Sequence, residues 1–218
     1  MKTLIFLISI LISFNAFADF ILSPGVTLSS PFKSYEEDST AKAILDADAG
    51  AGLLLNLDWI VFGPLTLGVG VGYQARSARV QYKNDIATAN DLDVSMIGIN
   101  AEVGTKIRII NFKRFKTFIG GGLTVGSKIL TYDENDFEFK TGSRNGFVES
   151  ESKSYNGIYL DAGFEYILSN KSGIRLSGKY TELETAKFDN LNNESLTIDS
   201  LAYSIQYMHY VNWDFFWK

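Results

Sequence analysis

Alternation with a period of two residues is the feature of this sequence that most restricts its fold. In residues 65–76, LTLGVGVGYQAR, every odd position up to Tyr73 is apolar, whereas every even position is glycine, polar or charged. Successive side chains of a β-strand point to opposite faces of the sheet. The pattern therefore predicts a strand with one apolar face and one polar face.

The same alternation recurs along the chain and predicts eight strands. Each is long enough for the ~9–11 residues of a tilted strand that crosses a membrane. The predicted strands cover residues 20–30, 51–59, 65–76, 97–109, 118–130, 158–168, 174–183 and a last segment from about residue 197.

The chemistry of the two faces indicates which of them is inside. In a soluble β-sandwich the apolar face packs into a core and the polar face meets water. In this chain the polar face carries glycines and charges of both signs, and apolar faces end in aromatic residues such as Trp59 and Tyr73. An apolar exterior around a polar interior is typical of a transmembrane barrel. We therefore predict an all-β fold, a single eight-stranded antiparallel transmembrane β-barrel without an open sheet edge.

The predicted connections between the strands alternate in length. The short ones are residues 61–64, 111–116 and 169–172. The longer, more polar ones are residues 31–48, about 81–92, 133–154 and 186–195. Short periplasmic turns that alternate with longer extracellular loops are typical of outer-membrane barrels. An even number of strands then places both ends of the barrel domain on the periplasmic side.

The first residues predict a secretory signal peptide. Lys2 precedes an apolar stretch over residues 4–11, and residues 16–18 have the small-x-small pattern of a cleavage site. The apolar stretch is shorter than the ~20 residues of a transmembrane helix. We expect residues 1–18 to be cleaved off and residues 19–218 to form a barrel domain in the bacterial outer membrane.

Composition and motifs argue against several classes of function. The chain has no cysteine, and its 25 acidic and 20 basic residues give a net charge of −5, which argues against a nucleic-acid partner. Residues 133–137, DENDF, fail the calcium-loop pattern at their fifth position. Residues 68–73, GVGVGY, lie within a predicted strand and do not fit a dinucleotide fingerprint. No cofactor and no metal site are predicted.

The signal peptide, the alternating strands, the turn–loop asymmetry and the aromatic C-terminal strand resemble the small outer-membrane β-barrel family. This family includes the OmpA transmembrane domain and the OmpX-like and OmpW-like proteins. The resemblance implies that the last strand is read by the barrel-assembly machinery, although Lys218 follows the final aromatic residue. An aromatic belt at the periplasmic interface is also expected from the same strand. The residues assigned to this signal and belt are Tyr207, Trp213, Phe215 and Trp217.

Ten charged residues of the polar face are predicted to line or fill the interior. An eight-stranded barrel is just wide enough for side chains to fill it, and buried charges must pair. The network either plugs the barrel or leaves a narrow solute path beside inward glycines such as Gly70 and Gly122. The ten residues are Asp58, Arg76, Glu102, Lys106, Arg108, Lys128, Asp161, Glu165, Arg175 and Lys179.

Our leading hypothesis is a non-enzymatic outer-membrane barrel with a structural role or a loop-mediated role in interaction or adhesion. Its expected partners are outer-membrane lipid, lipopolysaccharide and an extracellular ligand of the acidic loops. The alternative is a narrow passive channel for small solutes, similar to the OmpW-like members. A lipid-modifying enzyme is a remote alternative, because the only histidine, His209, lies near the periplasmic end of the last strand.

Overall fold

The computed structural model describes residues 19–37, 41–84, 87–132, 150–185 and 197–212. The predicted signal peptide lies outside these residues, as do Trp213, Phe215 and Trp217. Within the described part of the chain, no helix is long and apolar enough to cross a membrane.

The described residues form ten antiparallel β-segments. Their bounds are Asp19–Ser29 (β1), Phe32–Glu37 (β2), Ala41–Ala47 (β3), Gly50–Phe62 (β4), Leu65–Asn84 (β5), Ala87–Phe112 (β6), Phe115–Tyr132 (β7), Ser150–Ser169 (β8), Ser172–Thr185 (β9) and Thr197–Asn212 (β10). They make eight barrel strands, because β2 continues β1 and β4 continues β3. The register shows this continuity: β1 pairs with β4 up to Ser29 opposite Gly50, and β2 pairs with β3 from Phe32 opposite Ala47.

The barrel is closed by pairing between its first and last strands. β1 pairs with β10 from Asp19 opposite Asn212 to Ser29 opposite Ala202, and its other edge pairs with β4. The strands from β4 to β9 each pair with the next strand in sequence. The predicted closed, antiparallel, eight-stranded barrel is therefore confirmed.

Three two-residue turns join strands at one end of the barrel, which we call the turn end. They are residues 63–64, 113–114 and 170–171. Gly63 and Lys113 have φ angles of 46° and 51°, and two-residue hairpin turns of the primed types require such positive values. The turns are short, as predicted, and even shorter than the predicted ranges because the flanking strands run further into them.

At the opposite end, which we call the loop end, the strands run further than the sequence predicts. Most of the predicted loop 31–48 is the β2–β3 hairpin, and β5 and β6 occupy most of the predicted loop 81–92. β8 begins at Ser150, inside the predicted loop 133–154. These loop predictions are wrong at those positions because the hydrogen-bonded ladder continues beyond the point where the outward face stops being apolar.

The polarity of the two faces reverses along the barrel. In the middle, outward side chains such as Leu123 and Leu160 are apolar and about 60% exposed, and the inward face is polar. At the loop end, outward residues such as Arg79 and Asp93 are charged. The inward residues there are apolar and buried. This set, which we call the apolar cap, consists of Phe32, Ala47, Ala78, Val94, Met96 and Leu130. The reversal fits an exterior that meets lipid in the middle and water at the loop end.

Candidate functional site in the barrel interior

The charged side chains of the polar face meet inside the barrel. Asp58, Glu165 and Arg175 are almost completely buried, with exposures of 0%, 1% and 1%. The structure places all ten residues of the predicted interior network on the inward face. Asp58 lies on β4, Arg76 on β5, Glu102, Lys106 and Arg108 on β6, Lys128 on β7, Asp161 and Glu165 on β8, and Arg175 and Lys179 on β9.

Arg175 is the centre of a buried network towards the turn end. Its Nη1 lies 2.6 Å from Asp58 Oδ2. Its Nη2 and Nε both donate to Glu165 Oε1, at 2.6 and 3.0 Å. The ring centroid of Phe118 lies 5.5 Å from the guanidinium carbon. Because a guanidinium presents five donors in a planar fork, this one side chain can hold two carboxylates at once.

Lys106 and Arg108 extend this network to β6. Lys106 Nζ donates to Asp58 Oδ1 at 2.8 Å, and Arg108 Nε donates to Glu165 Oε2 at 3.1 Å. Arg108 also donates through Nη1 to Thr66 Oγ1 at 3.2 Å. Each carboxylate is thus held by two cations, which offsets the cost of removing these charges from water.

A second ion pair crosses the interior further from the turn end. Lys179 Nζ donates to Glu102 Oε2 at 2.5 Å, and Asn100 Nδ2 donates to Glu102 Oε1 at 2.8 Å. β7 and β8 separate the two strands of this ion pair, so it bridges the interior rather than two neighbouring strands. Asn56 on β4 and Gln206 on β10 are similarly joined across β1 by a bond of 3.0 Å.

A polar cavity of about 110 Å³ lies beside these pairs. Asp161 lines it, and its buried Oδ1 has no hydrogen-bond partner among the described residues. A polar space of this size has room for ordered water, which satisfies buried groups of this kind in other proteins. Other inward residues around the cavity are Asn100, Glu102, Thr124, Tyr159, Lys128 and Gln206.

The inward glycines make room for neighbouring side chains. A Cβ added to Gly70 would collide with the side-chain oxygen of Asn56, and a Cβ on Gly126 would lie 2.6 Å from the hydroxyl of Tyr155. At Gly122 the obstacle is the backbone of the adjacent strand. The sequence alone leaves open whether neighbouring side chains fill these spaces. At Gly70 and Gly126 they do, so glycine here permits close approach rather than a channel.

Arg76 and Lys128 lie in the interior near the loop end, beside the apolar cap. Arg76 Nη2 donates to Ser29 Oγ at 2.6 Å and to Gln74 Oε1 at 2.8 Å. The ring centroid of Phe32 is 4.8 Å from the Arg76 guanidinium carbon and 5.5 Å from Lys128 Nζ. Within the described part of the chain, neither cation pairs with a carboxylate.

Aromatic residues of the interior were not among the predicted site residues. Phe32, Phe118, Tyr155 and Tyr159 are buried and lie against the cations. The ring of Tyr159, for example, is 5.0 Å from Lys179 Nζ. The sequence could have identified Phe118 and Tyr159 as interior residues, because both occupy inward positions of the alternating pattern.

The remaining candidates lie outside the interior. Tyr207 is on the outward face of β10 and is 49% exposed, but residues 213–218 and the acidic segment 133–149 are outside the described residues. The aromatic belt and the assembly signal therefore stay predictions.

His209 is also exposed, and the register places it opposite Ser172. Among the described residues, no group of three or more His, Asp or Glu side chains could hold a metal ion.

Solved structures with the same architecture are outer-membrane proteins. The outer membrane protein OprG from Pseudomonas aeruginosa matches with a TM-score of 0.60 and 16% identity, over 89% of this chain and 96% of that chain. Ail, the attachment invasion locus protein of Yersinia pestis, matches with a TM-score of 0.50 and 14% identity, over 89% and 99%. At these identities the similarity concerns the fold alone.

A family model matches most of the chain. Residues 4–203 match the family described as the outer membrane protein beta-barrel domain. The matched region contains β1 to β9 and extends into β10. A comparison with curated protein sequences finds no match.

Proposed function

Because the chain belongs to the outer membrane protein beta-barrel domain family, we propose that it is a closed, non-enzymatic barrel with a structural and loop-mediated interaction role. The family locates the protein in the bacterial outer membrane. In such barrels the short turns face the periplasm and the longer connections face the exterior. The role we propose is therefore exerted from the loop end.

The main support for a closed interior is the ion pairing across it. Lys179 with Glu102, and Arg175 with Asp58, join strands that are not neighbours, so both pairs lie in the way of a solute. Removing one partner of a buried pair leaves an uncompensated charge, at a cost of ~3–5 kcal/mol. A conducting path would have to separate such pairs, which favours an interior that stays closed.

The extra length of β5 and β6 supports a role in interaction. A tilted strand crosses a membrane in ~9–11 residues, but β5 has 20 residues and β6 has 26. The two strands stay paired to Asn84 opposite Ala87. Their outward side chains include the exposed ion pair of Arg79 and Asp93, at 3.2 Å. We call this extension, from Arg79 on β5 to Asp93 on β6, the β5–β6 arm. Through Arg79 and Asp93 it would present polar surface outside the lipid.

Single-channel recording of the purified protein in planar bilayers tests whether the interior is closed. Wild-type protein is expected to give no openings. Ohmic openings whose conductance changes in Glu102→Gln would contradict the proposal, because that variant alters only the interior. Openings with the same conductance in both proteins would come from a contaminating porin.

Attachment of whole bacteria tests the interaction role. A strain without other adhesins that expresses the wild-type barrel is expected to attach to epithelial monolayers. A variant in which an Asn-Gly turn replaces residues 79–93 should attach less, since it lacks the β5–β6 arm. Equal attachment at equal surface amounts would rule out a role for the arm.

A narrow passive channel is the second candidate function. The polar cavity of about 110 Å³ favours it, because a polar space already exists inside the barrel. The same recordings separate the two functions, since only the channel predicts openings that depend on the interior residues.

A further inference from the structure

We propose that Lys128 and Arg76 form a binding site for a small anion, a halide or a carboxylate group, inside the barrel beside the apolar cap. Both side chains are nine-tenths buried or more, with exposures of 8% and 9%. They share the ring of Phe32, which lies 5.5 Å from Lys128 Nζ and 4.8 Å from the Arg76 guanidinium carbon. The site is independent of whether the barrel conducts.

The inward carboxylates of the described residues lie towards the turn end. The cations there are Lys106, Arg108, Lys116, Arg175 and Lys179, and the carboxylates are Asp58, Glu102, Asp161 and Glu165. Arg76 and Lys128 add two positive charges near the loop end, and neither pairs with a carboxylate of the described residues. Two buried like charges on one aromatic ring favour an anion beside them.

Aromatic rings do not supply the missing charge. Phe32 is shared by two cations, and the ring of Tyr155 lies 5.3 Å from Lys128 Nζ. Cation–π attraction is weaker than the cost of burying an ammonium group. An ammonium also has three hydrogen-bond donors, and those of Lys128 have no acceptor among the described residues. A small anion would provide both the charge and the acceptor.

The cavity provides space for this anion. Lys128 lines it together with Gln74, Gly98 and Tyr155. A Cβ added to Gly98 would meet nothing nearer than Lys128 Cγ, at 3.9 Å, so the wall beside Lys128 is open. Arg76 Nη2 is occupied by Ser29 and Gln74. Lys128 is therefore the main donor, and Arg76 contributes its charge from further away.

Crystals of the mature protein grown with sodium bromide test the site directly. An anomalous peak is expected within hydrogen-bond distance of Lys128 Nζ in wild type and should be lost in Lys128→Met. Lys171→Met, at an exposed turn, is the matched control and should keep the peak. Bromide only at other positions in wild type would overturn the proposal.

Thermal unfolding in detergent provides a second test. An anion that binds only the folded protein raises the midpoint with its concentration. Chloride or acetate, exchanged for a bulky sulfonate at constant ionic strength, should raise the midpoint in wild type and Lys128→Arg but not in Lys128→Met. An effect of chloride alone identifies a halide site, and an effect of acetate identifies a carboxylate site. Equal dependence in wild type and Lys128→Met would overturn the proposal.

Discussion

Lys179 and Glu102 are hydrogen-bonded across the barrel, although 77 residues separate them in the chain. Their strands, β9 and β6, have β7 and β8 between them. The Lys179 side chain is 22% exposed and that of Glu102 11%, so water reaches the pair only in part. The bond therefore ties two sides of the barrel together, and its two charges depend on each other.

Removing one member of this pair is expected to cost more than removing both. Lys179→Met should lower the free energy of unfolding by ~3 kcal/mol, because Glu102 stays buried without its cation. The double variant Lys179→Met/Glu102→Leu should recover most of that loss, since apolar groups can replace a buried pair. Urea unfolding in lipid vesicles gives the double-mutant cycle. Additive losses in the double variant would show that the two side chains act independently.

Arg175 should be the most sensitive cation of the interior. Arg175→Met leaves both Asp58 and Glu165 without their shared partner, and we expect a loss of ~3–5 kcal/mol. Arg79→Met breaks an exposed pair with Asp93 and should cost no more than ~1 kcal/mol. Urea unfolding compares the two variants. Similar small losses would mean that the Arg175 network contributes little.

Two inward glycines of β6 should respond differently to a methyl group. A Cβ on Gly104 would lie 2.5 Å from the carbonyl oxygen of Gly121 and would also collide with Tyr159, whereas a Cβ on Gly98 would have no contact closer than 3.9 Å. Gly104→Ala should therefore cost ~1–3 kcal/mol through overpacking. Gly98→Ala should be neutral or stabilise by up to ~1 kcal/mol, because alanine restricts the unfolded chain. Equal effects on the unfolding midpoint would contradict this view of the interior.

The outward face of β7 should show where lipid ends. Leu123 lies in the middle of this strand, and Thr131 lies near its loop end; both are exposed. Leu123→Arg should cost ~2–4 kcal/mol in a bilayer, whereas Thr131→Arg should cost ~0–1 kcal/mol. Unfolding from vesicles measures both. A greater loss for Thr131→Arg would place the lipid belt elsewhere on the strand.

The faces of the strands could be predicted from the sequence, but the partners inside could not. A period of two residues assigns Asp58 and Arg175 to inward positions whatever their surroundings. Their contact depends on the tilt and stagger of strands that are far apart in the chain. The alternation within one strand does not determine that geometry. The same reason explains why the pairing of Glu102 with Lys179 was not foreseen.

The loop end could not be predicted because its pattern is inverted. Around Val94 and Met96 the inward residues are apolar and the outward ones are polar. The alternation therefore continues, but the apolar and polar faces are exchanged. The first barrel strand is also interrupted at residues 30–31, and the second at residues 48–49. Short segments on either side of such interruptions carry too few alternating positions to be recognised as continuations.

The seam between β1 and β10 has a consequence for biogenesis. Because it joins Asp19 to Asn212, the cylinder cannot be completed until the last strand has been synthesised and exported. Before that moment β1 and β9 each present a row of unsatisfied backbone groups, which hydrocarbon does not tolerate. A chain without β10 would expose both edges to lipid, so we expect insertion into the membrane and closure of the seam to occur together.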